Sequence, residues 1–342
     1  MKMNAIKGKR IILVGGAGFI GHNLALELKR LGADVSVIDG LQVNNLLYFQ
    51  QTNVDIPDHD MYIRMIEERL KLLRDHRIPL FVEDARNYHK VSQIFEQVKP
   101  EIVVLLAAVA HANRSNKDPF TTFDHSTRTL ENALDASRGM VKHFIYFSSS
   151  MVYGNFNGQA VTEDALCNPL GIYGALKLGA EKLVTAYYQV FDLPYTIVRP
   201  SALYGDRCVS RRVGQIFIEN ALKGELVNIN GDGSDSLDFT YIDDLLQGII
   251  KVIENEKSKN EIFNLTYGQA RSIQDMAGVL KKHFPGVKIN YLPKDKLMPE
   301  RGTLCVDKAR KFIGYEPQYP LEKGYVKYIE WYRSFLAGRD QA

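Results

Sequence analysis

The chain has 342 residues, of which 45% are hydrophobic and 24% are charged, and its formal net charge is +3. This composition is that of an ordinary globular protein, long enough for one large or two modest domains. The charges form no basic stripe of the kind that binds nucleic acid, and no apolar run approaches a membrane span. We therefore expect neither a nucleic-acid partner nor a membrane partner.

The cysteines and histidines give no sign of a disulfide framework or a metal site. Cys167, Cys208 and Cys305 are widely spaced and odd in number, which favours free thiols in a reducing compartment. The eight histidines are scattered and lack the close pairing of a zinc site. Glycines interrupt the apolar run near the N-terminus well short of a signal peptide. We predict a cytoplasmic protein without a bound metal.

Short apolar runs alternate with longer amphipathic stretches along the first two thirds of the chain. The predicted strands are 10–14, 34–38, 80–82, 102–106, 143–148, 195–198 and, later, 262–265. Such alternation is typical of βαβ units, so the predicted fold is α/β with a doubly wound parallel sheet. The predicted sheet domain comprises 1–199 and 238–266. A smaller, interleaved C-terminal α/β substrate domain comprises 200–237 and 267–342.

A cluster of glycines follows the first strand directly and precedes a predicted helix over 22–31. Gly15, Gly18 and Gly21 permit a tight turn and close approach to a pyrophosphate, which the free N–H groups of the helix N-terminus bind. Asp39 ends the second strand about twenty residues downstream, where a carboxylate bonds the adenosine ribose and repels a 2′-phosphate. The pattern predicts a Rossmann-type domain that binds NAD rather than NADP.

Residues after the third and fourth strands complete the predicted cofactor site. Asp84 and Ala85 are placed to meet an adenine edge, and the small residues after Leu106 leave room for the cofactor. The positions predicted to contact NAD in these loops are Gly15, Gly18, Phe19, Ile20, Asp39, Asp84, Ala85, Leu106, Ala107 and Ala108.

Residues 44–80 are an insertion into this alternating pattern. The stretch 61–74 carries Ile63, Ile66, Leu70 and Leu73 at helical spacing, and Asp58 or Asp60 is a candidate N-cap. We interpret the stretch as a surface helix packed on the sheet, with a lid or a subunit contact as the alternatives.

Tyr173 and Lys177 lie four residues apart, so on a helix they share one face, where the ammonium can lower the phenol's pKa. Tyr173 is therefore a candidate acid/base. Tyr319 and Lys323 repeat the spacing, but a proline follows that tyrosine and no serine-rich strand end precedes it. Ser149, at the end of the strand predicted over 143–148, supplies that context for Tyr173.

Several motifs together resemble the extended short-chain dehydrogenase/reductases and, among these, the nucleotide-sugar epimerases and dehydratases. The resemblance covers nearly the whole chain. Its motifs are the glycine loop 15–21, the stretch Phe147–Gly154, Tyr173–Lys177, Arg199–Gly205, Gly231–Gly233, Asp238–Asp244 and Ile313–Pro317.

The resemblance implies roles for three residues. Tyr173 is the catalytic acid/base, Lys177 is its partner and a ligand of the nicotinamide ribose, and Ser149 bonds the sugar, with Ser148 or Ser150 as alternatives. NAD accepts hydride from a sugar carbon while the tyrosine removes the hydroxyl proton, which gives a 4-keto-sugar. Return of the hydride to the other face gives the 4-epimer.

The two positions after Ser149 separate branches of this family. The dehydratases that the chain resembles have Asp and Glu there, and the related decarboxylases keep a carboxylate at the second. Here the residues are Ser150 and Met151, which cannot perform that acid/base work. We predict a 4-epimerase, an isomerase acting on a UDP-sugar or UDP-sugar acid. The alternatives are a dehydratase, a dehydrogenase or reductase of the same family, or a non-catalytic NAD-sensing protein.

The substrate side departs from the family pattern. Ala202 replaces the usual asparagine, and Leu237 replaces the arginine that clamps the diphosphate. Other cations are therefore expected to serve, and Arg301 resembles the family's late phosphate-binding arginine. The predicted substrate contacts are Ser149, Ser150, His111, Ser201, Arg207, Arg212 and Arg301.

The resemblance also implies a homodimer. Relatives commonly pair through a four-helix bundle that includes the helix following Tyr173. Leu178, Leu183, Tyr187 and Tyr188 are candidates for that interface or for the core.

Overall fold

A seven-stranded parallel sheet is the centre of the molecule in this computed structural model, which describes residues 5–50, 57–109, 112–294 and 299–338. The strands are β1 (Arg10–Val14), β2 (Asp34–Ile38), β3 (Leu80–Phe81), β4 (Ile102–Leu105), β5 (His143–Phe147), β6 (Tyr195–Arg199), β7 (Leu203–Tyr204), β8 (Val227–Asn230), β9 (Ser236–Leu237), β10 (Thr240–Tyr241), β11 (Glu261–Asn264), β12 (Arg271–Ser272) and β13 (Ile289–Leu292). The sheet order is β11-β6-β5-β4-β1-β2-β3. The predicted doubly wound α/β fold is confirmed.

Helices cover both faces of this sheet and form most of the remainder. They are α1 (Phe19–Arg30), α2 (Leu46–Phe49), α3 (His59–Asp75), α4 (Tyr88–Val98), α5 (Ala112–Lys117), α6 (Pro119–Phe123), α7 (Thr129–Ser137), α8 (Gly171–Phe191), α9 (Val213–Lys223), α10 (Ile242–Glu254), α11 (Ile273–His283), α12 (Asp307–Ile313) and α13 (Leu321–Ala337). Within the described ranges, no helix is long and apolar enough to cross a bilayer.

The central strands are continuous apolar runs because both of their faces are covered. In β1, Ile11 and Leu13 belong to the core on one side of the sheet, whereas Ile12 and Val14 belong to the core on the other side. Successive side chains of a strand point to opposite faces, so one short sequence contributes to two cores. The strand order reverses between β1 and β4, and such a reversal opens a crevice at the carboxyl ends of the strands.

The helix of the 44–80 insertion forms as predicted but packs differently. Helix α3 lies against α1 and also contacts the region beyond β6: the Tyr62 hydroxyl donates to Glu219 Oε2 at 2.6 Å, and the fully buried Arg69 donates through Nε to the Arg207 carbonyl at 2.9 Å. The surface-helix interpretation is therefore wrong in part. Asp58 occupies the N-cap position, but its side chain pairs with Lys223 instead of capping.

The residues after β6 form three small two-stranded sheets, pairing β7 with β10, β8 with β13 and β9 with β12. Strand β11 returns to the central sheet beside β6, with Ile262 opposite Ile197. This return agrees with the predicted assignment of 238–266 to the sheet domain. The exact domain boundaries stay a prediction.

Candidate active site

The glycine loop lies at the point where the strand order reverses. Gly15 has a φ of +83°, and a Cβ on it would lie 2.6 Å from the backbone nitrogen of Ala107. A Cβ on Gly21 would lie 2.4 Å from the Cα of Gly16. Since no side chain fits at such distances, the loop brings the backbone of β1 directly against the predicted segment Leu106–Ala108, with Ala107 donating to the Val14 carbonyl at 3.0 Å.

Helix α1 presents its N-terminus at the end of this loop. It begins at Phe19, earlier than predicted, and its first turn contains no acidic side chain. The first N–H groups of a helix have no acceptor within it, so those of Phe19 and Ile20, next to Gly18, are available for an anion. The arrangement fits the pyrophosphate of a dinucleotide.

Asp39 follows β2 and holds the same loop. Its Oδ2 accepts from the Ala17 N–H at 3.0 Å and its Oδ1 accepts from the Leu41 N–H at 2.8 Å. Burial raises the pKa of this carboxyl group, and the backbone donors and the cation of Arg69 oppose that rise. The carboxylate that we predict to meet the ribose is thus already oriented by the loop.

The predicted adenine contacts follow β3. Asp84 accepts from the guanidinium of Arg86 and, at 3.1 Å, from Gln42 Nε2. Although burial raises it, these hydrogen bonds hold the pKa of Asp84 at about 2. The carbonyl of Ala85 accepts from Asn132 at 3.0 Å. These hydrogen bonds hold the segment beside the end of β2.

Ser149 and Tyr173 meet at the carboxyl end of β5. The serine hydroxyl is close enough to the Tyr173 phenol to lower its pKa, and it accepts from the Met151 N–H at 3.2 Å, which caps the 3₁₀ turn Ser150–Tyr153. Lys177 lies one turn along α8, its Nζ 6.0 Å from the Tyr173 ring centroid. The predicted catalytic set is therefore assembled around the phenol.

The electrostatics of the phenol differ from the sequence-based prediction. Burial raises the pKa of Tyr173, and the contributions that oppose this come from Arg212, Ser149 and Arg301. Lys177 donates to the Phe147 carbonyl at 2.6 Å, and burial lowers its own pKa to about 8. The prediction that Lys177 lowers the phenol's pKa is therefore corrected: the two arginines and the serine do so.

The neighbouring serines have other partners. Ser148 donates to Glu181 Oε1, which belongs to a buried ion pair with Arg199 at 2.6 Å. Ser150 accepts from the guanidinium of Arg301. Of the three serines that the sequence left open, the geometry favours Ser149 as the one that acts with Tyr173.

Four of the predicted substrate residues converge beside this set. Arg301 donates through Nη2 to the buried Ser150 and, at 3.0 Å, to the buried Ser201, and through Nη1 to Met151 Sδ at 2.9 Å. Arg212 is close enough to act on the pKa of both Tyr173 and Arg301. Segments distant in sequence thus place two cations at the phenol.

Arg207 does not join them. Its guanidinium donates to His22 Nε2 at 2.9 Å and to Asn23 Oδ1 at 3.1 Å, and it pairs with Glu68 at 3.2 Å. The prediction of a substrate contact is therefore not supported, because the side chain is directed towards α1 and α3.

One predicted substrate residue, His111, lies outside the described residues. Over the described ranges, no group of three or more His, Cys, Asp or Glu side chains is arranged to hold a metal ion. Sequence reasoning missed the buried Arg69, whose guanidinium bonds the Arg207 carbonyl, since a helical pattern does not show which charged position will be buried.

Comparisons with known proteins agree with this geometry. Residues 11–266 match the model of the NAD dependent epimerase/dehydratase family. The chain is 26% identical to "Protein CapI" of Staphylococcus aureus, covering 95% of this chain and 99% of that protein. It is 28% identical to a putative UDP-glucose 4-epimerase of Methanocaldococcus jannaschii, covering 95% and 98%.

Among solved structures, the chain is similar to the UDP-glucuronic acid 4-epimerase from Bacillus cereus in complex with UDP-glucuronic acid and NAD. The TM-score is 0.84 at 27% identity, over 95% of this chain and 99% of that one. The predicted resemblance and the predicted cofactor, NAD, are both confirmed at the level of the family. With its glycine loop, its Ser149–Tyr173 contact and a family match over most of its length, the chain belongs to the NAD-dependent epimerase/dehydratase enzymes.

Proposed function

We propose that the protein is an NAD-dependent nucleotide-sugar 4-epimerase acting on a UDP-linked sugar or sugar acid. The proposal depends on Ser149 lying close to the Tyr173 phenol while the two positions after Ser149 carry no carboxyl group. Those positions are Ser150 and Met151. The similar proteins named above include proteins described as 4-epimerases of UDP-sugars, which supports this choice.

The residues have distinct tasks in this reaction. NAD, when bound along the glycine loop, supplies reversible hydride acceptance. Tyr173 takes the proton of the sugar 4-hydroxyl and later returns it, and Ser149 holds the same hydroxyl by a hydrogen bond. The cations of Arg212 and Arg301 favour the phenolate form that must accept the proton. Lys177, fixed on the Phe147 carbonyl, is placed to bind the nicotinamide ribose.

Dehydration needs a further acid and base that this site lacks. Elimination across a sugar carbon–carbon bond requires a group that protonates the leaving hydroxyl and a group that removes a proton. Here the two positions after Ser149 hold Ser150 and Met151, and both side chains accept from Arg301. Epimerisation needs no group beyond the one that exchanges a proton with the 4-hydroxyl, so the described residues suffice for it.

The proposal is tested by product analysis. The purified protein is incubated with UDP-glucose, UDP-glucuronate and their N-acetyl analogues, and the products are identified by NMR while absorbance at 340 nm is followed. We expect the 4-epimer of at least one substrate without net NADH. Accumulated NADH or a released keto-sugar would instead identify a dehydrogenase or dehydratase.

We propose further that the protein is a cytoplasmic homodimer. Leu183 is 44% exposed and Tyr188 is 36% exposed on α8, which supports an interface on that helix, whereas Leu178 and Tyr187 pack against core clusters. The free thiols of the three cysteines support a reducing compartment. Sedimentation at micromolar concentration is expected to show a dimer, and a monomer alone would contradict the interface.

A further inference from the structure

Arg301 is a cation buried within the site, and no carboxylate among the described residues pairs with it. Three of its five N–H groups have acceptors among the described residues, namely the hydroxyls of Ser150 and Ser201 and the sulfur of Met151. Its Nε is buried without an acceptor there. All three acceptors are uncharged, so within the described part of the chain nothing that Arg301 bonds neutralises its charge.

The nearby charges add to this imbalance. Burial, together with the neighbouring Arg212, lowers the pKa of Arg301 to about 10, while Tyr173 and Asp238 oppose the shift. Asp238 is committed elsewhere, because its oxygens accept from Leu304 N at 3.1 Å and Thr266 Oγ1 at 3.0 Å. A buried charge without a partner is costly, and an anionic ligand at this position would offset that cost.

We propose that Arg301 binds a carboxylate carried by the sugar ring, so that the substrate class is a nucleotide-linked sugar acid. This inference rests on the proposed function for the orientation of the sugar. It also changes the role that resemblance implied for Arg301, from binding the diphosphate to selecting the sugar.

The position of Arg301 distinguishes the two roles. It is held by Ser150, the residue next to Ser149, and by Ser201, just beyond β6. It is also close enough to Tyr173 to act on the phenol's pKa. A cation at this end of the site meets the part of the ring that reacts, which includes the C5 substituent, whereas the diphosphate leaves from the anomeric carbon across the ring.

The experiment measures binding to the NAD-loaded protein by calorimetry for three ligands: UDP-glucuronate, UDP-glucose and UDP. Wild type is compared with Arg301→Gln and with Arg310→Gln, an exposed arginine of the following helix that serves as the matched control. We expect Arg301→Gln to weaken UDP-glucuronate about 10- to 100-fold, as for the loss of a charge-assisted hydrogen bond. UDP and UDP-glucose should change by less than about threefold, and the control should change none of the three.

Equal weakening of all three ligands by Arg301→Gln would assign the residue to the diphosphate and overturn the inference, as would no weakening of UDP-glucuronate. Arg301→Lys guards against misfolding: it keeps the charge but loses the planar fork, so intermediate binding of UDP-glucuronate is expected. The two proposals fail separately. Arg301-dependent binding without epimerisation would overturn only the function, and epimerisation with unselective binding would overturn only the inference.

Discussion

The chain contains the Tyr-x-x-x-Lys spacing twice, and the two regions have little else in common. At Tyr173 the pair lies on α8, Lys177 is 6% exposed and its ammonium bonds a backbone carbonyl. At Tyr319 the tyrosine precedes α13, whose N-cap is a proline. There Lys323 is exposed and lies 4.7 Å from the ring centroid, closer than the 6.0 Å at the other pair.

Proximity of the cation is therefore not what makes Tyr173 a candidate for catalysis. The closer pair is an ordinary cation–π contact at a surface helix. What distinguishes Tyr173 is the hydroxyl of Ser149 and the charges of Arg212 and Arg301. Environment, rather than spacing, prepares a phenol for proton transfer.

Removing each tyrosine hydroxyl gives the largest contrast. Tyr173→Phe is expected to lower kcat about 10²- to 10⁴-fold, because it removes the general acid/base. Tyr319→Phe is the matched control and should change kcat by less than about twofold, as expected for a substitution away from the site. Steady-state kinetics with the substrate that the product analysis identifies measure both. Full turnover by Tyr173→Phe would contradict the assignment.

Removing each lysine tests burial through the pH dependence of stability. The folded-state pKa of Lys177, about 8, lies below its unfolded value, so between pH 8 and about 10.5 the unfolded chain binds more protons and stability rises with pH. Wild type should gain up to about 3 kcal/mol over Lys177→Met in this window. Urea unfolding of nucleotide-free protein measures the difference, and Lys323→Met, which removes an exposed lysine, is the control.

Removing the Ser149 hydroxyl tests the serine that is present beside Tyr173 and has no counterpart in the sequence before Tyr319. Ser149→Ala should lower kcat/KM about 10- to 100-fold, since a hydrogen bond to a charged group is lost. Ser272, the N-cap of α11, is the matched control: Ser272→Ala should cost about 1 kcal/mol of stability and leave kcat/KM unchanged. If both variants lost only stability, Ser149 would be a cap and no more.

The smallest effect concerns the pH profile. Arg212 lowers the pKa of Tyr173, so Arg212→Gln should raise it and move the acidic limb of kcat/KM to higher pH. Arg211 is the neighbouring control, since its guanidinium bonds the Pro57 carbonyl at 3.2 Å and the Tyr62 hydroxyl at 3.3 Å. If the acidic limb of kcat/KM lay at the same pH in wild type and in Arg212→Gln, Arg212 would have no effect on the pKa of Tyr173.

Local patterns were sufficient to predict the strands of the central sheet and the glycine loop. Each depends on a short apolar run or a motif whose geometry is repeated in every α/β sheet of this kind. The contacts of the arginines were not predictable in the same way. Arg207 and Arg212 are five positions apart in one loop, yet Arg207 is directed to α1 and α3, whereas Arg212 acts on the phenol.

Long-range contacts were also hidden from the sequence. Arg301 contacts Ser150 and Ser201 from a distant part of the chain, and the choice of these partners depends on tertiary packing. The packing of α3 was not predictable for the same reason, because the helical pattern indicates which face is apolar but not which part of the chain covers it. Side-chain direction in loops and the choice of packing partner are tertiary properties.

The central claim is that the hydride removed from the sugar C4 returns to the same carbon on its other face, while Tyr173 exchanges a proton with the 4-hydroxyl. A UDP-sugar deuterated at C4, converted by the enzyme and examined by NMR and mass spectrometry, tests this most directly. We expect a 4-epimer that retains the deuterium at C4, with no net reduced cofactor. Deuterium found at C6, or lost to released reduced cofactor together with a keto-sugar, would contradict it.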